Sequence, residues 1–231
     1  RRARVRGVVC VPMDGFVAEF LATGLFQLLG GSSTVAYNNG LILTVLIFCT
    51  AKVSGGVLNP AVATTLLCVG EMGFGKFLAY VVAEVAGAAA GAALTPGASL
   101  SSWAYTSPGP GCVPKQPDLY ATCLWEFVGT YVLCLTVLAT AVAKPGFGNA
   151  APIAIGLAVL VNVLVSGGVT GGAYNPARFL GPALAFGCQL PLSLYYLASH
   201  EAAAILAALT HKFILDSEAP KVDLKKEPLL G

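Results

Sequence analysis

Asn59-Pro60-Ala61 and Asn175-Pro176-Ala177 are the residues whose types and spacing best suit chemistry in this chain. An asparagine amide both donates and accepts hydrogen bonds, and proline is favoured at the first helical position. The second copy is followed by Arg178, the only Lys, Arg, Asp or Glu between Lys144 and Glu201. A guanidinium is a permanent cation with several donors, suited to holding neutral hydrogen-bonding solutes and repelling cations. No nucleophile and base accompany these groups, and no phosphate loop. The expected chemistry is therefore binding or conduction, and the chain is not read as an enzyme. The 7 cysteines form no CxxC pair and no cluster with histidine, so neither a metal site nor a cofactor is expected.

The elements that must position these groups are apolar. Of the 231 residues 56% are hydrophobic and only 10% charged, and the mean hydropathy is +0.78, a balance that belongs in a lipid bilayer. A span needs about 20 apolar residues, and six segments qualify: 12–34, 35–53, 76–95, 120–143, 150–168 and 189–212. The basic start "RRARVRG" resembles the opening of a signal peptide, yet no small-residue cleavage site and soluble domain follow. It is read as a tail, 1–11, ahead of a retained first span. If six spans alternate, Arg1, Arg2, Arg4, Arg6, Lys76, Lys144, Lys221, Lys225 and Lys226 share one side. The positive-inside rule then makes both termini cytoplasmic, without saying which membrane houses the chain. A net charge of +2 gives no reason to expect a nucleic-acid partner. Cys49, Cys68, Cys123, Cys134 and Cys188 fall in apolar stretches and read as small core- or lipid-facing residues; Cys112 lies in a loop and by itself defines no disulfide.

The chain also repeats itself. "VSGGVLNPA" at 53–61 matches "VTGGAYNPA" at 169–177, and "AEFLATGLF" from Ala18 is answered by "WEFVGTYVL" from Trp125. The first repeat covers 12–117 and the second 118–212, with a tail over 213–231. Each repeat holds three spans, an odd number, so the second enters the membrane inverted, an architecture that places a site at the repeat interface. Asn is a favoured N-cap, so half-helices are predicted over 59–69 and 175–187, entering from opposite faces and meeting N-terminus to N-terminus. Their positive dipole ends would then repel cations and protons at mid-membrane. The plainer alternative is that Asn-Pro merely caps two packing helices. Gly87-x-x-x-Gly91 reads as a close helix-packing face, and Trp103 and Tyr105 in the loop 96–117 as interfacial residues.

On these residues the chain resembles the aquaporin, or major intrinsic protein, family over nearly its whole length. The resemblance implies an all-α membrane protein with six transmembrane helices and two re-entrant half-helices, a pore in each subunit, and a homotetramer. It also implies a role for Arg178 and the opposed half-helices as a charge barrier, which is a general property of aquaporin-type pores. Counting from each motif, the family's constriction falls on Asn39, Val163, Gly172 and Arg178. Strictly water-selective relatives usually carry an aromatic at the first position and a histidine at the second, so a wider filter without an aromatic is expected here. The set looks closer to some plant vacuolar-membrane members. Phe179 and Ala183 stand where glycerol facilitators usually have Asp and Lys. The expected cargo is water with small neutral solutes such as ammonia, urea, hydrogen peroxide or glycerol. In the family, acids at the positions of Glu19 and Glu126 accept hydrogen bonds from the re-entrant loops, and that structural role is also the simpler reading of the residues themselves.

Glu84 and Glu201 are less expected; at a repeat offset of 116 Glu84 corresponds to His200, and at 117 to Glu201. These groups are read most simply as facing water or neighbouring helices, protonated or hydrogen-bonded, and His200 alternatively as a pH-sensitive gate. Two rival functions remain. A secondary transporter also uses inverted repeats and broken helices, but would call for a coupling-ion site. A scaffold subunit of the same fold would have a closed or slow pore.

Overall fold

The structure is a computed structural model that describes residues 13–30, 36–98, 112, 118–188 and 190–215. The basic tail, residues 31–35, Trp103, Tyr105, Lys115 and the residues from 216 onward lie outside the described residues. Helix α1 (Met13–Gly30), α2 (Ala36–Thr50), the short α3 (Pro60–Cys68) and α4 (Phe74–Ala98) come first along the chain. The same order follows in α5 (Leu119–Val137), α6 (Ala151–Thr170), the short α7 (Pro176–Phe186) and α8 (Ser193–Thr210). A π-helical turn extends α5 over Leu138–Val142 and α8 over His211–Leu215.

Among the described residues, four stretches are long and apolar enough to cross a membrane: Phe74–Thr95, Leu119–Val142, Gly148–Thr170 and Leu190–Leu215. α2 is apolar but has 15 residues, and α1 carries Asp14, Glu19 and Gln27. Both complete the bundle, with α1 packed on α4 and α2 on α6. The outward faces carry leucine, valine and phenylalanine, as at Leu21, Leu25, Val45, Phe48, Leu78, Val161 and Leu206. That is the pattern of a helix bundle whose solvent is lipid.

Small residues let the helices close up. Gly87 and Gly91 on α4 abut the backbone carbonyls of Phe20 and Gly24 on α1, so a side chain at either would strike backbone. Gly40 on α2 and Gly156 on α6 face each other in the same way. Without a hydrophobic drive between helices in lipid, such close backbone approach is a main source of packing energy.

The two short helices interlock the repeats. α3 packs on α8 and α7 on α4, each held by the last long helix of the other repeat. Asn59 caps α3 and Asn175 caps α7, both in extended backbone (φ -161 for each), and the prolines follow at the first turn. The 9 residues of α3 and 11 of α7 rise about 14 and 16 Å at 1.5 Å per residue, together matching a bilayer core of roughly 30 Å. Two half-helices meeting end to end thus replace one spanning helix.

Candidate functional site

The site is built where the caps meet. Asn59 Oδ1 accepts from the Ala61 N–H at 2.9 Å. Asn175 Oδ1 accepts from Ala177 at 2.9 Å and Arg178 at 3.3 Å. The amide nitrogens then cross over: Asn59 Nδ2 donates to the Tyr174 carbonyl at 2.9 Å, and Asn175 Nδ2 to the Leu58 carbonyl at 2.7 Å. An amide NH2 has two hydrogens, so after this exchange each asparagine keeps one for a passing oxygen. Each helix therefore positions the other's cap.

To point their carbonyls across, Leu58 and Tyr174 adopt left-handed backbone, with φ 51 and φ 46. That conformation costs a non-glycine residue roughly 1–2 kcal/mol, and two buried acids hold it. Glu19 Oε1 and Oε2 accept from the Val57 and Leu58 N–H groups at 3.0 and 2.7 Å. Glu126 accepts from Ala173 and Tyr174 at 3.1 and 2.7 Å. Both acids are fully buried, so each carboxylate supplies acceptors that water cannot.

A third donor completes the Glu126 anchor. His200 Nε2 lies 2.8 Å from Glu126 Oε2, with both side chains buried. Because that oxygen also accepts from Tyr174, the imidazole is assigned as the donor, and Nδ1 has no hydrogen-bond partner. Glu84, at the matching position of the first repeat, is fully buried on α4 beside Glu19. Neither His200 nor Glu84 lines the cavity that reaches the asparagines. The water-facing alternative for these two residues does not hold, because both are fully buried.

That cavity holds about 620 Å³. Apolar walls from Leu43, Ile47, Val62, Leu133 and Val159 lead from a mouth with Glu71, Lys76 and Lys144 to Asn59 and Asn175. Phe26 of α1 also lines it. The Arg178 guanidinium carbon sits 4.1 Å from the centre of the Phe26 ring, stacked over its face. Arg178 Nη1 donates to the Phe26 carbonyl at 3.1 Å and Nη2 to Asn39 Oδ1 at 2.5 Å. Asn39 and Arg178 are thus brought together, and Gly30 lies so close to both that a methyl group there would clash. Gly172 and Val163 form a second contact, since a side chain at Gly172 would meet Val163 Cγ2 at 3.2 Å. All four of these residues are buried, and none lines the cavity on the asparagines' other side.

The structure adds two things that residue spacing did not give. First, Phe26 of α1 reaches Arg178. Counting back from the Asn-Pro-Ala motifs inspects α2 and α6 and passes α1 by. A signal was available: Glu19, Ala22, Thr23, Phe26, Gln27 and Gly30 form one buried helical stripe, so Phe26 shares a face with the anchoring acid. Second, Cys112 and Cys188 form a disulfide across a sequence separation of 76. Cys188 is not in a membrane span, because α7 ends at Phe186 and Gly187 turns the chain in left-handed backbone (φ 65). Its sulfur is left in a loop near the end of the half-helix that starts at Asn175. Among the described residues the free cysteines are Cys49, Cys68, Cys123 and Cys134, of which Cys134 is buried and Cys49 and Cys68 exposed.

Six membrane helices with two opposed half-helices meeting at capped asparagines define an inverted-repeat channel. The family pattern described as "Major intrinsic protein" matches residues 11–211. Aquaporin A of Dictyostelium discoideum is 34% identical over 87% of this chain and 78% of its own length. Nodulin-26 of Glycine max is 30% identical over 96% and 86%, and aquaporin-8 of Rattus norvegicus 31% over 87% and 82%. Among solved structures the aquaglyceroporin from Plasmodium falciparum superposes with a TM-score of 0.73 at 22% identity, covering 88% of this chain and 97% of that one, a likeness of fold. The chain belongs to the major intrinsic protein family. It is a membrane channel for water or small solutes and not an enzyme.

Proposed function

We propose that this channel conducts water and also passes small neutral solutes, among them ammonia, urea, hydrogen peroxide and glycerol, while excluding protons and ions. The carrying observation is the reciprocal pair of asparagine caps, each with one amide hydrogen left for a solute oxygen, with Arg178 in the first turn beyond the second. Half-helix dipoles add positive potential where the caps meet, and a guanidinium in the same first turn adds to it. A cation or hydronium meets that field unshielded; water and urea meet donors.

The filter in this reading is Asn39, Val163, Gly172 and Arg178. Small side chains at three of the four positions favour a wider aperture, and the Asn39–Arg178 bond with Phe26 beneath sets its polar edge. A homotetramer with both termini in the cytoplasm completes the proposal. The disulfide supports that orientation: Cys112 and Cys188 lie in loops on the Arg178 side, and disulfides persist in oxidising compartments, outside the cytosol.

The test is stopped-flow light scattering on proteoliposomes, comparing water efflux with urea and glycerol uptake. Fast water flow with solute uptake well above empty liposomes is expected. Fast water alone would mean a narrower filter. No flow above empty liposomes would favour the scaffold reading, to which the buried, doubly bonded Arg178 side chain lends some support.

A further inference from the structure

The two re-entrant loops are alike in backbone but not in how they are tied down. Leu58 and Tyr174 occupy the same repeat position, share left-handed backbone and present their carbonyls to the opposite asparagine. Leu58 has no polar side-chain atom. Tyr174 carries a phenol, and the structure gives it a full set of partners.

Its hydroxyl donates to the Asn162 carbonyl at 2.8 Å and lies 2.6 Å from Ser166 Oγ, both on α6. Asn162 is in turn bound to α5, its Nδ2 donating to the Gly129 carbonyl at 2.7 Å. Gly129 itself lies under the Tyr174 ring, where any side chain would overlap it. The ring's other edge backs Gly172: a methyl group there would meet Val163 Cγ2 at 3.2 Å and Tyr174 Cε2 at 3.4 Å. Tyr174 is fully buried, so no water competes for the phenol. One side chain therefore joins the loop that carries Gly172 to the helix that carries Val163. Its own backbone is held at the same time by Glu126 and Asn59.

We infer that Tyr174 is a positioning residue for solute selection, its phenol bolting the second re-entrant loop to α6 and so holding the Gly172–Val163 side of the constriction at a set distance from Arg178. The inference rests on the assignment of Asn39, Val163, Gly172 and Arg178 as the filter. Tyr80 ties the first loop to α4 through the Ser54 carbonyl, but Leu58, at the position matching Tyr174, has no polar side-chain atom to bond α2; this places the control of aperture in the second repeat, on the same side of the asparagines as Arg178. Without the phenol the loop is still capped and anchored through its backbone, so water conduction persists. What is lost is the fixed spacing, and the constriction admits larger solutes more readily.

The experiment measures urea and water permeability of the same proteoliposomes and reports their ratio, which does not depend on how much folded channel each preparation holds. Tyr174→Phe is expected to raise the urea-to-water ratio by about three- to fivefold, the scale of one lost hydrogen bond acting on one barrier. Ser166→Ala, which removes one partner and leaves the ring in place, is expected to shift it in the same direction by less. If Tyr174→Phe does not assemble, Ser166→Ala decides alone. Val163→Phe, obstructing the filter directly, should lower the ratio. A lowered ratio in Val163→Phe with no change in the other two variants overturns the role of Tyr174 and leaves the filter assignment standing. No change in any of the three overturns the filter assignment and this inference with it. A wild type that passes neither solute sinks both.

Discussion

Both oxygens of Glu126 are engaged by backbone N–H groups, and one of them by His200 as well. Glu126→Gln puts an amide NH2 where an acceptor is needed, so one buried N–H loses its partner and faces another donor. A buried unsatisfied donor costs about 1–3 kcal/mol. We expect a lower midpoint in thermal unfolding of the detergent-solubilised protein, and the same for Glu19→Gln by repeat symmetry. In the proposed filter Asn39 acts on the solute instead. Asn39→Phe removes the acceptor of Arg178 and fills the aperture, and should cut urea and glycerol uptake more than water flow. Equal loss of all three would count against Asn39 as a filter residue. His200 is sealed from water and bonded to Glu126. Permeability should therefore be the same at mildly acidic and neutral pH in the wild type and in His200→Ala; an acid-induced loss of flux that His200→Ala abolishes would make His200 the gate.

Helix crossings carry the next scale. The α1–α4 contact closes at Gly87 and Gly91, whose neighbours are backbone atoms, and the α2–α6 contact at Gly40 and Gly156, which meet each other's carbonyls as well as Thr44 and Leu160; backbone cannot turn away as a side chain can. Gly91→Leu and Gly156→Leu should therefore separate the helices rather than repack them, and overpacking of this kind costs roughly 1–3 kcal/mol or more. A loss of monodisperse protein on size exclusion is the expected readout, with Gly70→Ala as a milder comparison, since a Cβ there meets nothing within 4 Å although its φ of 82 still carries strain. The half-helices depend on the same interlocking. Short helices are marginal alone; α3 and α7 persist because Asn59 and Asn175 cap them and because α8 and α4 cover them.

At the scale of the whole molecule, the disulfide joins the loop between the repeats to the segment following α7. Cys112→Ser should free Cys188 for a membrane-impermeant maleimide added to intact cells, whereas the wild type should label at this site only after reduction. Labelling of the Cys112→Ser protein only after permeabilisation would reverse the proposed orientation or place the channel in an internal membrane.

The repeat was legible in the sequence because it is written in residue types at constant spacing: Gly-Gly, two variable residues, then Asn-Pro-Ala, with an acid on the first helix of each copy. Backbone chemistry dictates those types, since a cap, a first-turn proline and a buried acceptor each admit few residues. The lengths of the apolar segments gave the six spans, and that pattern gave the two half-helices and their inversion. Side-chain partners across the bundle were not legible. The position of Tyr174 is one of the two variable places in the motif, so comparing the copies discards it, and only its contacts with Asn162, Ser166 and Gly129 reveal what it holds. Phe26 meets Arg178 and Cys112 meets Cys188 because segments distant along the chain are brought side by side. Local sequence determines which elements can form; which groups then touch is decided by packing, and packing is a property of the assembled chain.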